Sequence, residues 1–223
     1  MNLTSLWTAT YETLGMTLIS AFLAYLVGVP LGICLNITSK NGLHPNKPIN
    51  LILGIIVNLL RSVPCMLLII VLLPLTRAVV GRGTGYWYTM LIPLFFASFP
   101  FVARMVEQSL AEVPPGEIEA VRSMGASNRE IVFKVLLAES KPSLIGGSAV
   151  SAISILGYTS FAYDFGAGGL ISSAYGFYNN HTSNYLSYPN VWVIILVVVV
   201  LVQLLQEGGL HLARKTDKRR VIS

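Results

Sequence analysis

Side chains able to do acid–base, ligand or ion-pair chemistry are sparse in this chain: 15 Lys or Arg, 10 Asp or Glu, 3 His and 2 Cys in 223 residues. The densest group lies in one island from Glu112 to Pro142, EVPPGEIEAVRSMGASNREIVFKVLLAESKP. No paired carboxylates, nucleophile–base set or metal-spaced histidines stand out; His44 and His181 are isolated. No G-x-x-x-x-G-K-[ST] phosphate loop occurs, so any ATP chemistry belongs to another polypeptide. The chemistry the island's spacing supports is that of helix ends. Pro114 and Pro115 stop one helix, and Pro115 suits the first turn of the next. Glu117 and Glu119 fall where the helix dipole favours anions. Gly125 stands where a helix end needs a left-handed residue. Ser127 and Glu130 have capping-box spacing. The spacing predicts a short helix, a sharp glycine turn and a second helix, lying along a membrane face. Ile118, Val121 and Met124 form an apolar face on the first helix, and Ile131, Val132, Val135 and Leu136 a stripe on the second.

The elements that must position this elbow are apolar. The chain is 54% hydrophobic and 11% charged, against about 25% charged in soluble domains. The class is an all-α, polytopic integral membrane protein in contact with lipid, with no nucleic-acid signature. Cys34 and Cys65 sit in apolar runs as packing residues. A single membrane domain over residues 1–213 is expected, with spans near 13–37, 51–75, 87–107, 142–163 and 191–212, a loop over 112–141, and a basic tail over 214–223. Arg61-Ser62-Val63-Pro64 interrupts the second span. Arg61 reads as an anchor that snorkels to the interface, with a functional charge as the alternative. Arg104 and Glu107 are helical i, i+3 partners, and Arg61 is expected to complete a three-way cluster at the same membrane edge. Gly147–Ser151 and Ser148–Ala152 are small-xxx-small pairs, which predicts that span four is the central helix. Span five has no such face and reads as lipid-facing. Residues 164–190 read as a long polar-aromatic loop holding Tyr175, Phe177, Tyr178, Tyr185 and Tyr188, as an interfacial belt or a docking surface.

Five spans put the termini on opposite sides. Lys40, Lys47, Arg122, Arg129, Lys134, Lys141, Arg214, Lys215, Lys218, Arg219 and Arg220 fall on one side, and only Arg77 and Arg82 on the other. The positive-inside rule then places the N-terminus outside and the island and C-terminus in the cytoplasm.

Glu119-Ala120, Gly125 and Leu137 resemble the EAA loop of ABC-importer permeases, which runs Glu-Ala-Ala, three residues, Gly, nine residues, Ile, one residue, Leu-Pro. Here Val121, Val135 and Ala138 replace the second Ala, the Ile and the Pro. Arg61-Ser62-Val63-Pro64, the run Pro100 to Glu107, Ser123 to Ser127, Lys134 to Leu137, Gly157-Tyr158 and Gly166 to Leu170 are together similar to the methionine-importer permeases among the type I importers, over about residues 10 to 213. The resemblance implies a permease homodimer in the bacterial inner membrane, two ATP-binding ATPase subunits and an external substrate-binding lipoprotein. It implies no cofactor on this chain, ATP on the partner, and no enzymatic activity here. It implies passage of D- and L-methionine, or a similar small amino acid, by alternating access. Glu119, Ala120 and Gly125 carry over to the coupling helix that docks on the ATPase, and Glu117, Met124 and Ser127 complete the expected coupling surface. The elbow is expected to be rigidly joined to spans three and four, so that two copies rock about their interface.

One stretch departs from the family. Thr159 to Phe165 carries bulky aromatics and an acid where small residues are usual. Tyr158 and Phe161 are gate or substrate-path candidates by position alone, and Asp164 reads as a solvated helix-end charge. Another small substrate, or a self-contained secondary transporter or channel, is the alternative. A secondary transporter would be expected to show internal repeats and midplane ionisable groups, and no clear repeat is present.

Overall fold

The computed structural model describes residues 2–180, 186 and 189–217; among these the regular elements are helices and no strand is present. His181, Tyr185, Tyr188, Lys218, Arg219 and Arg220 lie outside the described residues. Helix α1 (Leu3–Thr38) starts well ahead of Thr13 because the Asn2 carbonyl accepts both the Leu6 amide and the Ser5 hydroxyl. Helix α2 (Lys47–Ser62) is capped by Asn46, whose side chain accepts the Ile49 amide at 3.2 Å. Helix α3 (Cys65–Val80) follows and ends at Gly81, with φ 79°. A 3-10 turn, Trp87–Met90, leads into α4 (Leu91–Ala111). Then come α5 (Pro115–Ser123), α6 over residues 128–139, and α7 (Lys141–Tyr158) with its 3-10 extension Thr159–Phe165. Helices α8 (Leu170–Asn180) and α9 (Pro189–Thr216) complete the chain.

Four helical segments are long and apolar enough to cross a membrane: α1, Trp87–Ala111, Lys141–Phe165 and α9. Helices α2 and α3 meet the same test only together and are bent by 106°, so the pair, counted as one broken span, makes five. The straight crossing expected over 51–75 is therefore a broken one. Pro64 has no N–H to continue the ladder and forces Val63 extended, at φ −84° and ψ 124°.

The helix at the centre is α4, not span four as expected. Ten α4 residues, from Pro93 to Leu110, are buried, whereas α7 buries only Ala149, Ser151, Ile155 and Leu156. The cause is on α1. Gly28 and Gly32 let it lie backbone to backbone on α4: a Cβ on Gly28 would stand 2.9 Å from the Phe99 carbonyl oxygen, and one on Gly32 2.5 Å from that of Ala103. This is the small-xxx-small crossing the bundle uses. On α7, Gly147 is filled by Met105, but Gly146 and Gly157 face open space and Val150 is 55% exposed. Helix α9 is largely exposed, as expected of a lipid-facing span, with Gly209 seated on Ala149.

Helix α8 occupies the segment expected to be loop. Its Ser, Gly, Tyr and Asn content gives little helix propensity, and another helix holds its start. Glu12 of α1 accepts the Gly169 amide at 2.8 Å, and Thr13 accepts the Leu170 amide at 2.9 Å. Gly168 and Gly169 turn with φ 77° and 94° against these two side chains.

Candidate functional site

The island folds as the predicted elbow, built from local rules. Pro115 opens α5 and Glu117 sits in its first turn. A Schellman motif closes it: the Gly125 amide donates to the Arg122 carbonyl at 3.0 Å, the Ala126 amide to that of Val121 at 3.3 Å, and Gly125 has φ 86°. Ser127 at once caps α6. Its Oγ accepts the Glu130 amide at 3.3 Å, and Glu130 Oε2 accepts the Ser127 amide at 3.1 Å and its hydroxyl at 2.9 Å. Lys134 Nζ donates to Glu130 Oε1 at 2.9 Å. That bond and the Ser127 bonds push the Glu130 carboxyl down to about 2 from its ordinary 4.5. One motif ends where the next begins, so no free residue separates the helices. Within α6, Ile131–Leu136 forms a π-helical stretch. Such stretches concentrate at functional sites.

The elbow is welded to the bundle. Ile118, Val121, Ala126, Ile131, Val132, Val135 and Leu136 share one core cluster with Val102, Val106 and Leu110 of α4 and Ala24 of α1. A second tie reaches the α1–α2 loop, where Asn128 Nδ2 donates to His44 Nε2 at 2.6 Å. Between that loop and α5 lies a cavity of about 420 Å³ bordered by Asn36, Asn41, Glu119 and Arg122.

This packing divides the expected coupling surface. The apolar face of α5 does not stay together: Ile118 and Val121 turn inward, and Met124 is 78% exposed. Glu119, Ala120, Gly125 and Ser127 are also exposed, and Glu117 is half-buried. Phe133 is 68% exposed on the same elbow. The sequence hides Phe133 inside the apolar run of α6, because only the π-helical winding and the packing reveal which side chains of that run turn outward.

Tyr158 and Phe161 are brought together elsewhere, at the far end of α7, against a cluster of Met16, Ile69, Met90, Leu94, Ala162 and Ala167. In the unusual 159–165 stretch, Phe161 and Phe165 fill this cluster, Asp164 is exposed, and Tyr163 stacks on Tyr175 of α8 with centroids 4.8 Å apart.

The three-way charge cluster does not form. Arg104 pairs with Glu107 at 2.6 Å, as expected, but its other partners are Asn58 Oδ1 at 2.9 Å and the Gly54 carbonyl at 3.3 Å. Arg61 stands almost one turn beyond Asn58 on α2 and has no ion-pair partner among the described residues. It lines a separate cavity of about 190 Å³ at the α2–α3 break, with Cys65, Ala97, Phe101 and Tyr158. Ala97 and Phe101 are mid-helix in Trp87–Ala111, each about 15 Å from the nearer end. Arg61, in the last turn of α2, therefore borders a cavity that also touches the middle of α4. Arg61 also offsets the C-terminal dipole of α2, an interaction worth about 0.3–1 kcal/mol.

A family model described as "Binding-protein-dependent transport system inner membrane component" matches residues 28–215. The chain is 37% identical over 221 residues to the probable D-methionine transport system permease protein MetI of Vibrio cholerae serotype O1, covering 98% of this chain and 95% of that protein. It is 44% identical over 201 residues to the methionine import system permease protein MetP of Bacillus subtilis, covering 90% of each. It superposes on a chain from the inward-facing MetNI methionine ABC transporter with a TM-score of 0.88 at 34% identity, covering 97% of this chain and 99% of that one. The broken span, the welded elbow and these matches over nearly the whole length lead to one assignment: the chain belongs to the family of binding-protein-dependent transport system inner membrane components.

Proposed function

We propose that this chain is the transmembrane subunit of an ATP-driven importer that passes methionine, or a similar small amino acid, across the bacterial inner membrane. It works as a homodimer with two ATPase subunits and receives substrate from an external binding lipoprotein. The chain itself binds no nucleotide or other cofactor and catalyses no reaction; ATP is hydrolysed on the partner. The N-terminus is outside, and the elbow and basic C-terminus are cytoplasmic. The observation that carries this reading is the elbow, two short helices locked by a Schellman motif and a capping box. Its inner face is fused to the core and its outer face carries Glu119, Ala120, Met124 and Phe133. A rigid lever with an exposed apolar tip suits a groove in a moving partner. The names of the relatives support methionine, and the uncovered face of α7 at Gly146, Val150 and Gly157 supports a second copy beside it. The test is ATP-dependent uptake by vesicles reconstituted with the ATPase and binding protein. Labelled methionine is expected to accumulate and to be displaced by D- and L-methionine. Uptake without the ATPase, or none of any amino acid, would refute the proposal.

A further inference from the structure

We propose that the cavity at the α2–α3 break is a transient subsite for the carboxylate of the passing amino acid, with Arg61 as its cation and Tyr158 as a polar neighbour. The inference rests on the proposed function, which supplies the amino acid. Four observations converge on it. The cavity reaches Ala97 and Phe101, which stand in the middle of the Trp87–Ala111 segment, so a cation is held against the interior of a membrane-length helix. Arg61 is exposed in the single chain and lacks a carboxylate partner, while Arg104, on the neighbouring helix, is satisfied by Glu107, Asn58 and Gly54. The space, about 190 Å³, has room for a carboxylate group. The break also supplies backbone: α3 begins at Pro64 with no side-chain cap on its first amides. Irregular backbone at membrane depth is tolerated where it lines a cavity, and broken helices mark substrate sites in other transporter folds. An arginine fork matches a carboxylate in both charge and geometry.

The test measures equilibrium binding of labelled L-methionine to the purified permease–ATPase complex in lipid nanodiscs without the binding protein. L-methioninol, in which an alcohol replaces the carboxylate, serves as competitor. The wild-type complex is expected to bind methionine and to ignore methioninol. Arg61→Gln should weaken methionine binding roughly 10- to 100-fold, the range of a hydrogen bond to a charged group. Arg61→Lys, which keeps the charge but not the fork, should fall between wild type and Arg61→Gln, and Tyr158→Phe should lose a few-fold. Co-purification with the ATPase reports folding of each variant; should Arg61→Gln fail to assemble, Arg61→Lys and the methioninol competition still decide. Equal competition by methioninol, unchanged affinity in Arg61→Gln, or no binding by the wild-type complex overturns the subsite. If vesicle uptake of methionine succeeds while any of these occurs, the subsite alone is wrong. If uptake of every amino acid fails, the proposed function is wrong.

Discussion

The elbow and the α2–α3 break are both interruptions between helices, and they are built in opposite ways. At the elbow every helix end is tied off within a few residues: Gly125 and Ala126 satisfy the carbonyls of Arg122 and Val121, and Ser127 and Glu130 cap each other. Its apolar residues sit in the largest core cluster. At the break α3 starts on Pro64 without a side-chain cap, Arg61 has no carboxylate partner among the described residues, and a cavity remains. A part that transmits force gains from having one conformation. A part that substrate crosses gains from polar groups left for the substrate to satisfy. The contrast is the one expected if the elbow is the lever and the break the passage, as proposed above.

Substitutions can break this contrast to different degrees. The largest effect is expected from Gly32→Val, which removes the α1–α4 contact both regions hang on. With 2.5 Å to the Ala103 carbonyl there is no room even for a Cβ. The loss should be at least ~3 kcal/mol, seen as failure to assemble or a collapse of thermal stability in detergent. Gly125→Val comes next. Its Cβ would meet nothing, so the penalty is the left-handed backbone alone, at φ 86°, of about 1–2 kcal/mol. The fold should survive while methionine transported per ATP hydrolysed falls several-fold; a normal ratio would mean that the elbow is no lever. Ser127→Ala should cost about 1 kcal/mol, read as faster amide exchange confined to the start of α6. The mildest perturbation is acid. Because the folded Glu130 carboxyl is held at about 2 against an ordinary 4.5, its capping contribution is fully present above 4.5 and is lost as pH falls through about 2. Amide protection at the start of α6 should not change between pH 7 and 5, and carboxyl NMR should find the Glu130 midpoint near 2.

The same contrast explains what could be read from the sequence. The elbow was legible residue by residue, because Pro115, Gly125, Ser127 and Glu130 act on neighbours at most a few positions away. Pro64 announced an interruption, but not a bend of 106° or where Arg61 would stand, since both depend on how α2 packs on α4. Small-residue spacing pointed to α7, whereas the tight crossing uses Gly28 and Gly32; spacing shows that a helix can be approached, not which partner approaches. Helix α8 was invisible because Glu12 and Thr13, more than 150 positions earlier, hold its first turn. Met124 and Phe133 share their apolar character with buried neighbours, and only packing sets them apart.

Thiol accessibility at Met124 tests the central claim most directly. In a chain with Cys34 and Cys65 replaced by Ser, Met124→Cys places a reporter on the tip of the elbow, where the native side chain is 78% exposed. Labelling with a membrane-impermeant maleimide is compared on inverted and right-side-out vesicles, with and without the ATPase. The account predicts labelling from the cytoplasmic side only, strongly suppressed when the ATPase is assembled. Labelling from the outside, or at the same rate with the ATPase present, would contradict it.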